Sequence, residues 1–118
     1  MRHHHVNLGV PPGGLDAQHT FLVDVLGYVE LEPGPGLVKA GFTPHWYGAS
    51  DGSQIHISED ADHRPAERAH VAIEMSTDEL AAIGARLTAA GTEHRVSDGF
   101  AGLPPQIIVR DPAGTRWE

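Results

Sequence analysis

An internal repeat limits what this chain can fold into more than any other feature: a strand, a helix and three strands are read twice within 118 residues. In the first copy Val6, Leu8 and Val10 alternate with His5, Asn7 and Gly9, the period of a half-buried strand, and Pro11-Pro12-Gly13-Gly14 stops it. Leu15, Leu22, Val25 and Leu26 recur at near-helical spacing, and Gly27 is placed to close that helix in a left-handed cap. Tyr28 to Leu31 reads as a short strand. Leu37 to Tyr47 reads as another, with Pro44 marking a bend or an edge, and Gln54 to Ser58 as the fourth.

The second copy follows a charged connector, residues 59–68. His70 to Met75 alternates with Val71, Ile73 and Met75 on one face. Ser76 followed by Glu79 is a capping-box signature, and Leu80, Ile83 and Leu87 give the helix behind it an apolar stripe that ends at Gly91. Thr92 to Val96, Gln106 to Arg110 and Thr115 to Glu118 read as strands, the last two joined by the turn Asp111-Pro112-Ala113-Gly114. Modules 1–58 and 69–118 thus each put one helix on a four-stranded sheet and leave one sheet face uncovered. Pairing those faces gives a single α+β domain over 1–118: two tandem βαβββ modules forming a curved mixed sheet around a cleft.

Charge narrows the partners. Eight Lys and Arg against 16 Asp and Glu give a formal net charge of −8. This argues against nucleic acid, which needs a basic face to displace counterions, and against an anionic membrane surface. No apolar run is long enough to cross a bilayer, and Met1-Arg2 leads into histidines rather than an apolar leader. With no cysteine there is no disulfide, thiolate ligand or cysteine nucleophile, which suits the cytoplasm. The expected partner is a small molecule.

Nine histidines in a small acidic chain point to where its chemistry lies. Strand alternation puts His5 on the polar side of the first strand and Gln54, His56 and Ser58 on that of the fourth. In the second copy it gives His70, Ala72 and Glu74, then Arg116 and Glu118 opposite Trp117. Fifty-one residues separate His5 from His56, and 48 separate His70 from Glu118. Three imidazoles and one carboxylate suit a divalent first-row ion, whether Fe, Mn, Ni, Co or Zn. The plainer reading is a set of packed or solvated histidines. His19, His63 and His94 are read so, and His3-His4-His5 also fits a purification-tag remnant.

His4-His5-Val6-Asn7-Leu8, Phe21 to Gly27, Gln54-Ile55-His56-Ile57, Ala69-His70-Val71-Ala72 and the Asp111-Pro112-Ala113-Gly114 turn followed by Glu118 together resemble the vicinal oxygen chelate superfamily. That group holds glyoxalase I, extradiol dioxygenases, fosfomycin-resistance enzymes and bleomycin-resistance proteins, and the likeness spans nearly the whole chain. It implies His5, His56, His70 and Glu118 as ligands of a divalent ion that chelates two adjacent substrate oxygens. It also implies Glu118 and His56 as the groups nearest the chemistry. Glyoxalase I has glutamate at the second ligand position where this chain has His56, a departure from its proton-transfer pair.

Gln106 and Arg110 share the strand side of Glu118, and Arg110 has the fork geometry to clamp a carboxylate or phosphate. Trp46 and Tyr47 can stack on a planar substrate or fill a core. The resemblance leaves open a metal-dependent lyase, isomerase or dioxygenase. The competing class is a metal-free protein that binds an antibiotic, as bleomycin-resistance proteins do, and the acidic charge fits a cationic drug. A homodimer is expected, with sites closed within one chain or shared between two.

Overall fold

The structure is a computed structural model that describes residues 4–41 and 45–118. The chain divides into two compact units, Met1–His63 and Arg64–Glu118, the boundary falling inside the charged connector.

The first unit runs β1 (His5–Val10), α1 (Leu15–Thr20), a π-helical continuation (Phe21–Leu26), β2 (Val29–Leu31), α2 (Pro35–Lys39), β3 (His45–Gly48) and β4 (Gln54–Glu59). Its sheet has the order β1-β4-β3-β2, with β1 and β4 parallel and the other pairs antiparallel. Alternation decides the faces. Ile55, Ile57, Tyr47 and Val10 are buried with Phe21, Leu22 and Val25 of the helical stretch, while Gln54, His56 and Ser58 point the other way and stay partly exposed. Gly27 closes the helix at φ 85°, as its position in the sequence requires. The Tyr28 amide reaches back to the Leu22 carbonyl at 2.9 Å, one residue further than a regular cap of this kind, which the wide π turn accommodates.

The second unit repeats the plan with β5 (His70–Val71), α3 (Thr77–Ala89), β6 (His94–Ser97), β7 (Gln106–Arg110) and β8 (Arg116–Trp117), in the sheet order β5-β8-β7-β6. Again the first and last strands are parallel neighbours. Ser76 caps α3 in a complete capping box with Glu79, and Ile83 and Leu87 are its buried residues. Ile107, Val109 and Trp117 supply the buried face of the sheet. The Asp111–Gly114 turn is tied from inside: Asp111 is 5% exposed and accepts from Trp117 Nε1 at 2.9 Å and from the Thr115 amide at 2.8 Å.

Two four-stranded mixed sheets with few helices make this an α+β protein of two βαβββ units. Several boundaries differ from expectation. Leu37 to Lys39 lie in α2 and not in a strand: Pro35 presets the helical φ at its start, and no alternating apolar face is offered for a sheet to bury. The strand there begins at His45, and Pro44 lies outside the described residues. The segment His70–Met75 is a ladder for only two residues, because β8 offers a two-residue partner. Pairing nevertheless persists past it: the Glu118 amide donates to Val71 O at 2.9 Å and Ile73 N donates to Glu118 O at 2.8 Å. The strand expected at Thr92–Val96 starts two residues later and ends at Ser97. Among the described residues no helix is long and apolar enough to cross a membrane.

Candidate metal centre

In the first unit the parallel register sets His5 beside Gln54 and Asn7 beside His56, all on the sheet face turned away from the helix. The antiparallel pairing of β3 adds Trp46 beside His56 on that face. The three rings form a packed row. Trp46 stacks on His56 with centroids 4.8 Å apart and planes 4° from parallel, and His5 meets the indole edge-on at 4.6 Å. The His5 and His56 rings stand 6.5 Å apart, centroid to centroid. Burial first, then the nearby His5 and His45, push His56 below the ordinary histidine value. The ring is therefore held neutral with a lone pair to give, the form a metal ion needs.

In the second unit His70 Nε2 stands 3.5 Å from Glu118 Oε2. His70 Nδ1 lies 3.2 Å from the Arg68 carbonyl, which can only accept, so Nδ1 is the donor in that contact and Nε2 is the ring nitrogen turned toward Glu118. The other carboxylate oxygen, Oε1, is held by Arg116. Glu118 is anchored on both sides of its own peptide by the Val71 and Ile73 bonds described above, so its backbone is fixed although it follows the last strand.

The two half-sites have the same construction. His5 is the first residue of β1 and His70 the first of β5. In the parallel ladders His5 pairs with Gln54 and His70 with Arg116. In each case the second ligand-type residue, His56 or Glu118, lies two positions beyond that partner, on the same face. The structure thus brings the four together as two pairs, one per unit. Among the described residues no group of three or more His, Asp or Glu is placed to hold an ion.

The remaining candidates separate. Trp46 is on the ligand face, with its Nε1 buried and lacking a hydrogen-bond partner. Tyr47, one residue on, points to the opposite face, is fully buried, and its hydroxyl lies 3.0 Å from His19 Nδ1. Gln106 and Arg110 share a face of β7 opposite buried Ile107 and Val109. Arg110 donates to the carbonyls of Gly114 at 2.6 Å and Glu67 at 3.4 Å. Sequence reasoning gave no role to Arg116, which pairs directly with both His70 and Arg110 across the sheet. Its strand parity with Glu118 was the available signal.

These features define a class: a protein of two βαβββ units, each presenting a pair of side chains of ligand type, His5 with His56 and His70 with Glu118, on one face of its sheet. No protein-family model and no curated protein matches the chain. Solved structures do. A glyoxalase family protein from Bacillus anthracis is 26% identical, with 99% of this chain and 95% of that one covered at a TM-score of 0.75. A glyoxalase/dioxygenase from Nostoc punctiforme is 18% identical, covering 98% and 87% at 0.77. The fosfomycin resistance protein FosX from Listeria monocytogenes is 18% identical, covering 99% and 89% at 0.78. A mutant of FosX has been solved with Mn(II) and 1S,2S-dihydroxypropylphosphonic acid. In fold and in these likenesses the chain is similar to proteins of the vicinal oxygen chelate superfamily.

Proposed function

We propose that the protein is a divalent-metal-dependent enzyme acting on a small molecule with two adjacent oxygens, and that His5, His56, His70 and Glu118 hold the ion. The observation that carries this reading is the shared register of the two half-sites, because two unrelated pairs have no reason to occupy equivalent ladder positions. The donor set fits Fe, Mn, Ni, Co or Zn. When bound, such an ion supplies Lewis acidity toward the paired oxygens.

The chain's own residues do the rest. His70 is oriented by the Arg68 carbonyl, His56 is kept neutral and flat against Trp46, and Glu118 offers one carboxylate oxygen while the other stays on Arg116. Glu118 and His56 move a proton in this reading, and Trp46, Gln106 and Arg110 bind substrate. The reaction is of lyase, isomerase or dioxygenase type. Two copies of the chain pair as a homodimer, the half-sites joining within a chain or between chains, and the protein works in the cytoplasm.

Elemental analysis of tag-free protein prepared without a nickel column tests the reading. About one ion per chain is expected, lost in His70→Ala and weakened in His56→Ala, with His63→Ala unchanged. Equal loss from His56→Ala and His63→Ala overturns the ligand assignment. Protein that stays empty after exposure to all five ions points instead to a metal-free antibiotic-binding protein.

A further inference from the structure

The ligand face of the second sheet is basic in a chain whose net charge is −8. Arg116 pairs with His70 on one side and Arg110 on the other, so β5, β8 and β7 present a lateral row His70–Arg116–Arg110. Arg95 pairs with Ile108, which shares the parity of Arg110, and so lies on the same face. Three of the chain's eight Lys and Arg are therefore gathered here.

Like charges directly opposed on neighbouring strands are destabilising, and little on this face relieves them. Glu118 takes one nitrogen of Arg116, and Arg116 Nε is buried with no hydrogen-bond partner. Arg110 meets only neutral carbonyls, two of its five N–H donors being used on Gly114 and Glu67. Among the described residues neither Arg110 nor Arg95 forms an ion pair. A row of underused guanidinium donors beside a candidate metal ligand is the arrangement an oxyanion would complete.

We infer that Arg110 and Arg116 form an oxyanion subsite next to Glu118, and that the substrate carries a carboxylate, phosphonate or phosphate group besides its adjacent oxygens. Calling the bound anion part of a substrate rests on the metal-enzyme reading above; the anion site itself does not. Arg116 then has two tasks, holding Glu118 through one nitrogen and offering the rest of its guanidinium to the anion. Arg95 adds long-range attraction without contact.

The test uses metal-free, isotope-labelled full-length protein in chelator at constant ionic strength. Inorganic phosphate, malonate and neutral glycerol are titrated while the arginine Nε–H resonances are followed by NMR. Phosphate or malonate should give a saturable shift at Arg110 and Arg116, and glycerol none. Arg110→Gln should weaken binding tenfold or more, and Arg116→Lys should weaken it less than Arg116→Gln. The tighter of the two anions identifies the phosphate-like or the carboxylate class. No saturable shift in the unaltered protein, or shifts that survive Arg110→Gln, overturns the inference. Anion binding in a protein that takes up no metal keeps the subsite and removes the metal reading, so the two failures are distinguishable.

Discussion

Trp46 lies flat on His56, the two rings 4° from parallel and 4.8 Å apart, because the β3–β4 register sets them directly opposite one another. A ring sandwiched in this way has its orientation chosen before any ligand arrives. Groups that orient a metal ligand typically change affinity by about 10–100-fold when removed. Trp46→Ala should therefore weaken metal binding by about tenfold or more, while Trp46→Phe, which keeps an aromatic face, recovers most of it. Competition with a chromogenic chelator measures both. Equal affinity in Trp46→Ala and the unaltered protein shows that stacking does not position His56.

The capping box at the start of α3 links stability to acid. Ser76 Oγ accepts from the Glu79 amide, and the Glu79 carboxylate accepts from the Ser76 amide and hydroxyl at 2.8 and 2.7 Å. Those hydrogen bonds from Ser76 hold the Glu79 carboxyl below its ordinary value. Its contribution is thus present above the unfolded value and is lost as pH falls through the folded one. Ser76→Ala should cost about 1 kcal/mol at neutral pH, and less once Glu79 is protonated. Urea unfolding at pH 7 and at pH 3 checks this; an equal penalty at both removes Glu79 from the account.

The repeat, both helices, the Gly27 cap and the capping box were legible because each rests on local chemistry: alternation, helical spacing, a left-handed position, a side chain reaching its own backbone. That His5, His56, His70 and Glu118 lie on the polar sides of their strands was legible for the same reason, since strand parity alone decides it, whereas their pairing needed the registers of two ladders. What failed to show was set by distant partners. α2 stands where the apolar residues from Leu37 suggest a strand, since Pro35 is a local helix start whose effect the apolar pattern masks. β5 is short because its length belongs to β8. Tyr47 reads like Trp46 by type, yet neighbours on a strand face opposite ways, and only the pairing with Ile55 reveals that Tyr47 belongs to the core. The burden on Arg116 needed the register of two ladders at once.

Asp111 is the internal tie of the last turn, accepting from the Trp117 indole and the Thr115 amide while almost fully buried. Removing it leaves the buried indole N–H without this acceptor, and a buried donor stripped of its partner costs about 1–3 kcal/mol. Asp111→Ala should therefore destabilise by about 2–3 kcal/mol, with the turn amide adding to the indole. Because Trp117 sits next to Glu118, the same variant should loosen metal binding. Asp111→Asn keeps an acceptor and should recover part of the stability. Denaturant unfolding followed by tryptophan fluorescence reads both, and an unperturbed midpoint in Asp111→Ala contradicts the tie.

Alkali should find the first unit's core. Tyr47 is fully buried, and burial, then the charge of Glu30, raise its phenol from 10.0 to about 12. Tyr28, the only other tyrosine, is also raised, by burial and then by Asp51. A group whose folded value is raised contributes stability in full below the unfolded value and loses it as pH climbs through the folded one. The window for Tyr47 is pH 10 to 12. Folded protein should accordingly show no ordinary tyrosinate absorbance step near pH 10, the signal appearing only with unfolding. Tyr47→Phe gives up the His19 hydrogen bond, about 1 kcal/mol at neutral pH, but escapes an alkaline loss of about 3 kcal/mol. The variant should be the less stable protein at pH 7 and the more stable one above pH 11. Urea midpoints across that range, with absorbance at 295 nm, decide it: parallel curves for the two proteins mean that Tyr47 does not carry the alkaline transition.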